Sequence, residues 1–383
     1  MIGVGGSGSS IAYHLAKSGR KVLGLEQFKI AHDQGSSHGE TRIIRLAYHE
    51  GEFYVPLLRR AYELWRELEK ETAQKVLTTT GCLNIGPAES STFRGCLESA
   101  QRHKISHEVL DADEVMSRFP AFQLGAYMKA VFQPDGGFLE PERCVSLFAR
   151  EAVRHGAEIN EEERVKSWES SGATGVEVHT KKRSYKARRI VFSSGAWTQK
   201  LVAELGVPIV PERQVVGWFR PLAPELFALG RLPVWILSDE GRSPFGDESS
   251  AYGFPVHNIP GFKFGVMHHR REAIDPDYFQ REPTPEDEKF LRTFLNRFFP
   301  KADGDALKLG TCIFTNTPNH DFLLDFHPKY PQAIIVSCCS GHGFKFTSVI
   351  GELVEQMSNE GKTKLNINRF SFRSHEEEAN LHS

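Results

Sequence analysis

The chain has 383 residues, 40% hydrophobic, 25% charged and 11% aromatic, with a formal net charge of −2. These proportions exclude a disordered, fibrous or low-complexity chain, and the near-neutral balance offers no electrostatic footprint for nucleic acid or acidic lipid. The length suits two domains, or one large core with a second lobe.

Five of the first eight residues are Gly or Ser, with only Met1 and Ile2 ahead of them. That start reads either as a nucleotide-binding loop whose first strand is cut short or as a flexible end. Gly3-Val4-Gly5-Gly6-Ser7-Gly8 runs into Ile11, Ala12, Leu15 and Ala16, apolar at helical spacing, and Gly19 ends the helix. Residues 21–26 then form a short apolar strand closed by Glu26. A second amphipathic helix is predicted over 53–70, with Leu57, Leu58, Ala61, Leu64, Trp65 and Leu68 on one face. From about 80 to 139 the pattern is mixed, with short strands such as 81–85. A helix opens at Pro141 and runs to about His155. Strands are predicted near 157–160, 175–180 and 184–193, followed by a turn at Gly195 and a helix over 197–205. Strands of an antiparallel sheet follow at 213–219, 251–256 and 262–269, then a helix over 284–299. The last unit is a strand over 333–337, a glycine turn over 340–343 and a helix over 347–357.

Gly3-x-Gly5-x-x-Gly8 has the spacing that lets backbone approach a pyrophosphate at a helix amino terminus. Glu26 stands where an acid accepts ribose hydroxyls, which disfavours a 2′-phosphate and so NADP. The motif does not separate NAD from FAD. Lys263 is a lone charge in an apolar strand, costly unless a site uses it; an outward-facing lysine on an edge strand is the alternative.

No run reaches the ~18 apolar residues of a membrane helix, and glycines stand where a secretory signal would carry charge and then apolar residues. Cys82, Cys96, Cys144, Cys312, Cys338 and Cys339 show no CxxC spacing and form no disulfide framework, so no metal is expected. A carboxy-terminal Leu-His-Ser does not match a peroxisomal address. The expected compartment is a reducing cytoplasm.

Three segments are more specific: GSSHGETRIIR over 35–45, TCIFTNTP over 311–318 and SGHGFKF over 340–346. Together, in order and across nearly the whole chain, they resemble the monomeric sarcosine oxidase family, with N-methyltryptophan and pipecolate oxidases. The resemblance implies an α/β architecture. A Rossmann-like FAD-binding domain with a mixed sheet and a truncated first strand is interleaved with an α+β substrate domain carrying the antiparallel sheet. The expected pieces are 1–80, 140–214 and 310–372 for FAD, 81–139 and 215–309 for substrate, and a tail over 373–383.

The resemblance further implies FAD linked covalently from the Cys312 sulfur to the flavin 8α carbon. Gly3, Gly5, Ser7, Gly8, Glu26, Ser37, His38, Arg42, Gly341, Gly343, Phe344 and Lys345 are the other implied cofactor residues. Arg45 and Lys345 match a substrate-carboxylate pair, Tyr252 a pocket tyrosine, and Lys263 a lysine credited with oxygen activation. The pocket histidine falls at Met267 by strict spacing, which leaves His268 and His269 both open as the pocket histidine; strand alternation puts His269 on the Lys263 face. The implied reaction is oxidation of a secondary or N-methyl amino acid by oxygen, giving an imine and hydrogen peroxide, by a monomer whose partners are small molecules. Two alternatives stay open: an NAD-linked amino-acid dehydrogenase, and a non-catalytic relative impaired by the short first strand.

Overall fold

Ile2 pairs in parallel with both Leu25 and Phe192, and this residue joins two groups of strands into one sheet. In the computed structural model, which describes residues 1–172, 175–240 and 250–381, the sheet runs 158–160, 23–25, Ile2, 190–192, 333–337, 323–326. Its pairings are parallel except between 323–326 and 333–337, so it is mixed, as expected. The two residues ahead of the glycine loop therefore hold the central position. Ile2 donates its N–H to Val191 and its neighbour Gly3 donates to Leu25.

The helix over Gly6–Lys17 begins inside the glycine loop and buries Ile11, Ala12, Leu15 and Ala16. It packs against the helices Pro141–Arg154 and Thr347–Glu360. The helix Val55–Thr72 buries the six residues predicted for its inner face. The 80–139 stretch holds two helices that its mixed pattern concealed, Ser91–Arg102 and Ala112–Arg118, capped by Ser90 and Asp111 respectively.

The second sheet has nine strands and carries the other lobe. From one edge it runs 272–273, 210–219, 262–266, 250–254, 234–238, 82–87, 128–133, 108–111, with 306–316 also paired to 210–219. Only 82–87 and 234–238 pair in parallel. The helix Pro285–Phe298 lays Leu291, Phe294, Leu295 and Phe298 on this sheet, where they join Trp235, Phe262 and Phe264 in one core. The strands 210–219 and 306–316 are continuous across the boundaries expected near 214 and 310, so they belong to both lobes. A small sheet of 42–44, 137–139 and 77–79 sits between the two and sets Arg42 in a strand with Arg45 just beyond its end. Part of the expected tail is a helix, Phe372–Leu381.

Candidate active site

A cavity of about 720 Å³ runs between the two sheets. At one end Gly3, Gly5, Gly6, Ser7 and Glu26 form its wall. Gly3 has φ +85°, and a Cβ on it would lie 2.6 Å from the Ser193 carbonyl oxygen. A Cβ on Gly8 would lie 2.1 Å from the Gly3 oxygen, so Gly8 serves the closeness of helix to strand rather than the wall itself. The Gly6–Lys17 helix has no side-chain cap and no acid in its first turn. Its open N–H groups and positive dipole end suit a phosphate. Ser37 Oγ accepts from the Gly6 N–H at 3.1 Å. Glu26 accepts from the N–H of Val4 at 2.7 Å and of Phe28 at 3.0 Å, which fixes its carboxylate at the end of the sheet.

The middle of the cavity is walled by Arg42, Cys312, Gly341, Gly343 and Phe344. Arg42 donates to the carbonyls of Thr41 and Ser36, both at 2.9 Å, and to Cys312 Sγ at 3.3 Å. Burial pushes the Cys312 thiol up, but the Arg42 charge and then a hydrogen bond from His38 outweigh it, holding the thiol below its ordinary value. His38 also bonds the Gly35 carbonyl at 3.0 Å and stands behind the wall. A Cβ on Gly341 would meet the Phe314 ring at 2.7 Å, and one on Gly343 would lie 1.8 Å from the Cys338 oxygen. Both glycines keep backbone exposed at the cavity.

At the other end stand Arg45, His49, Glu50, Tyr252, Met267, His268, His320, His342 and Lys345. Lys345 Nζ donates to the His342 carbonyl at 2.6 Å and to Tyr48 Oη at 3.3 Å, leaving one proton for the cavity. Burial lowers its pKa to about 7 against the opposing pull of Glu50. Arg45 does not present an open guanidinium to the cavity. Its Nη2 is 2.5 and 2.7 Å from the two Glu50 oxygens and Nη1 donates to Ala47 O at 2.6 Å. Glu50 answers with a carboxyl held far below its usual range; burial opposes, and Arg45 prevails. His49 and His342 are held uncharged by burial, at about 4 and about 3.

Lys263 stands behind Arg42 and outside the wall. Its Nζ donates to Gly39 O at 2.5 Å and to Thr41 O and Oγ1, each at 2.9 Å, and burial first, then Arg42, lowers its pKa well below the ordinary value.

His269 corrects the expectation from strand alternation. The strand ends at Val266, and the chain turns through His268, Arg270 and Arg271, all at positive φ. His269 Nε2 is thereby aimed away from the cavity, 2.9 Å from Asp287 Oδ1. His268 takes the wall position beside Met267. Tyr48, Glu50 and His320 were also missed from sequence. Arg45 followed closely by Tyr48 and Glu50 was the available signal, because a buried guanidinium needs a partner.

Among the described residues no helix is long and apolar enough to cross a membrane. Residues 1–357 match the family described as FAD dependent oxidoreductase. The chain is 39% identical over 376 residues to a monomeric sarcosine oxidase of Bacillus sp. strain NS-129, covering 97% of this chain and 95% of that one. It is 34% identical over 382 residues to an N-methyl-L-tryptophan oxidase of Citrobacter koseri, covering 97% and 98%. The crystal structure of L-proline dehydrogenase from P. horikoshii shares the fold, with a TM-score of 0.83, 23% identity and coverage of 98% and 97%.

Proposed function

The chain belongs to the FAD dependent oxidoreductase family, and within it we propose an oxidase of secondary or N-methyl amino acids that forms an imine and hydrogen peroxide. The observation that carries this reading is one continuous cavity whose lining joins the glycine-rich helix start to Cys312, Arg45 and Lys345. The residues fit FAD: the glycine cradle and uncapped helix suit its pyrophosphate, and Glu26 its ribose. The family excludes the NAD-linked alternative as the first choice, and Cys312 would have no part in it.

Bound FAD supplies the chemistry, taking two electrons from the carbon–nitrogen unit of the substrate and passing them to oxygen. The protein supplies position and charge. The remaining Lys345 proton meets the substrate carboxylate, while Arg45 is tied to the ionised Glu50 beside it. Tyr48 orients Lys345, and Tyr252 closes the opposite wall. Arg42 supplies positive charge around the middle of the cavity, and Lys263, hydrogen-bonded behind it to Gly39 and Thr41, is the residue we assign to oxygen activation.

The covalent thioether from Cys312 Sγ to the 8α carbon is part of the proposal, supported by a buried thiol whose anion Arg42 favours. The six cysteines are all free, which suits a reducing cytoplasm.

A peroxide-coupled screen over sarcosine, N-methyltryptophan, pipecolate and proline tests the activity. Peroxide with at least one of them is expected, and none with any would sink the reading. Denaturing the yellow protein in acid tests the linkage. Flavin should stay on the wild-type chain and leave Cys312→Ala; a colourless wild-type pellet would show that the cofactor is held without a bond.

A further inference from the structure

The wall histidine His268 sets one ring nitrogen against a carboxylate. Its Nδ1 is 3.1 Å from Glu212 Oε1. Glu212 is itself fixed by Gln214 Nε2 at 2.6 Å and Asn316 Nδ2 at 3.1 Å. The ring is clamped edge-on by Phe314, centroids 5.9 Å apart, and by His320 at 4.9 Å. Both histidine backbones are left-handed, His268 at φ 54° and His320 at φ 60°. For non-glycine residues that conformation costs on the order of 1 kcal/mol each and tends to collect at functional sites. No described protein group bonds His268 Nε2, while the residue lines the cavity.

A carboxylate on one imidazole nitrogen fixes the tautomer, leaving a lone pair on the other. The reaction proposed above needs such a group. A secondary amino acid arrives as an ammonium, with a proton held about as tightly as a lysine's, near ~10. Its nitrogen has no lone pair until that proton leaves, and no imine forms without one. Other groups near the substrate end are already engaged: His49 sets Nδ1 against Arg45 Nη2 at 3.1 Å. His342 spends Nδ1 on Tyr48 at 2.7 Å and Nε2 on the His320 carbonyl at 3.1 Å. Glu50 is committed to Arg45, and Lys345 donates. The contact path Lys345–Tyr48–His342–His320–His268 links this ring to the carboxylate site, and both ends of the path line the cavity.

We propose that His268, oriented by Glu212, is the base that removes the ammonium proton of the substrate. The N–H bond breaks with its electron pair left on nitrogen, the proton goes to His268 Nε2, and Glu212 balances the imidazolium until water takes the proton. His268 is then a catalytic residue and Glu212 a positioning residue. Among the described residues, the charged or titratable groups facing the pair include Arg271, whose charge helps lower the Glu212 carboxyl, and His320.

The inference rests on the amine-oxidase reading, and its test keeps the two apart. kcat/KM for the best amine of the screen is measured from pH 6.5 to 10 for wild type, His268→Gln and Glu212→Gln, each checked for bound flavin and unchanged Tm. At pH 7 His268→Gln should lose about a hundredfold, and the wild-type-to-variant ratio should shrink to a few-fold by pH 10, where substrate already arrives deprotonated. Glu212→Gln should show a smaller loss with the same pH trend. Using the ratio cancels titrations common to both proteins, including that of Lys345. A ratio that is flat with pH would assign His268 to packing and overturn the proposal. A wild type silent toward every secondary amine would overturn the oxidase reading, and this inference with it.

Discussion

Lys345 shows how far one buried charge shapes the behaviour of the site. Burial brings its pKa down from an ordinary 10.5 to about 7, so the unliganded protein holds a poised cation rather than a permanent one. A simple carboxylate inhibitor such as propionate isolates this residue, having no amine to titrate. Its Ki should be flat below about pH 7 and rise toward tenfold per unit above it as Lys345 loses its proton. A flat Ki to pH 9 would remove Lys345 from the carboxylate site. The same residue bears on stability with a defined sign. Between about 7 and 10.5 the unfolded lysine holds a proton that the folded one has shed, so stability from this residue rises with pH. Lys345→Met should therefore gain most in Tm over wild type at or below pH 7, with the gain shrinking as pH rises; differential scanning fluorimetry across pH 6–9 reads it. At this scale the cysteine at 312, the arginine at 42 and the lysine at 345 were legible because short motifs surround them. Glu212 and Glu50 were not legible as partners, because an acid is assigned a partner only when the fold brings one to it.

Elements decide which side chains reach the cavity, and two local devices dominate. The first is the close approach of backbones at the glycine turns. A Cβ on Gly8 or Gly343 would lie 2.1 or 1.8 Å from a carbonyl oxygen, closer than any real contact. Gly8→Ala must push the first helix off the sheet, with a cost of about 1–3 kcal/mol and a weakened hold on FAD. Urea unfolding and flavin titration check both, and an alanine that leaves both unchanged would deny the loop its role. The second device is the turn after Val266. Asp287, inside the first turn of the helix Pro285–Phe298, completes a capping box with Thr284, accepts from Arg213 Nη1 at 3.0 Å and Nη2 at 2.8 Å, and takes His269 at 2.9 Å. Asp287, Arg213 and His269 are all buried. This network anchors the turn whose other face presents His268. Asp287→Ala leaves Arg213 buried without its main partner and should cost about 3–5 kcal/mol, read as a fall in the urea midpoint. A fall under 1 kcal/mol would mean that the turn is held elsewhere. Strand alternation misplaced His269 because it assumes extended backbone, and the three left-handed residues of this turn end that assumption.

Across the whole molecule the two lobes are latched as well as joined. Asp277, on the segment after the second-sheet strand 272–273, meets Arg164 at 2.7 Å, Lys200 at 2.7 Å and Trp197 Nε1 at 2.8 Å. These three partners line the glycine end of the cavity. Asp277→Ala should cost about 1 kcal/mol of stability, since its cationic partners are partly solvated. It should also weaken FAD about tenfold in a Cys312→Ala background, where retention depends on the closed wall. Isothermal titration reads the second effect, and unchanged affinity would restrict the latch to stability.

The chemistry-bearing motifs and the helices with strong periodicity are legible in the chain alone, because both are written in neighbouring residues. It also placed Ile2 at the head of a glycine loop, although two residues look too few for a strand. Tertiary structure decided the rest. Ile2 is central because Leu25 and Phe192 bracket it, Arg45 is turned aside because Glu50 claims it, and His268 replaces His269 because the chain reverses after Val266. Each outcome turns on partners that meet only when the two sheets close on the cavity.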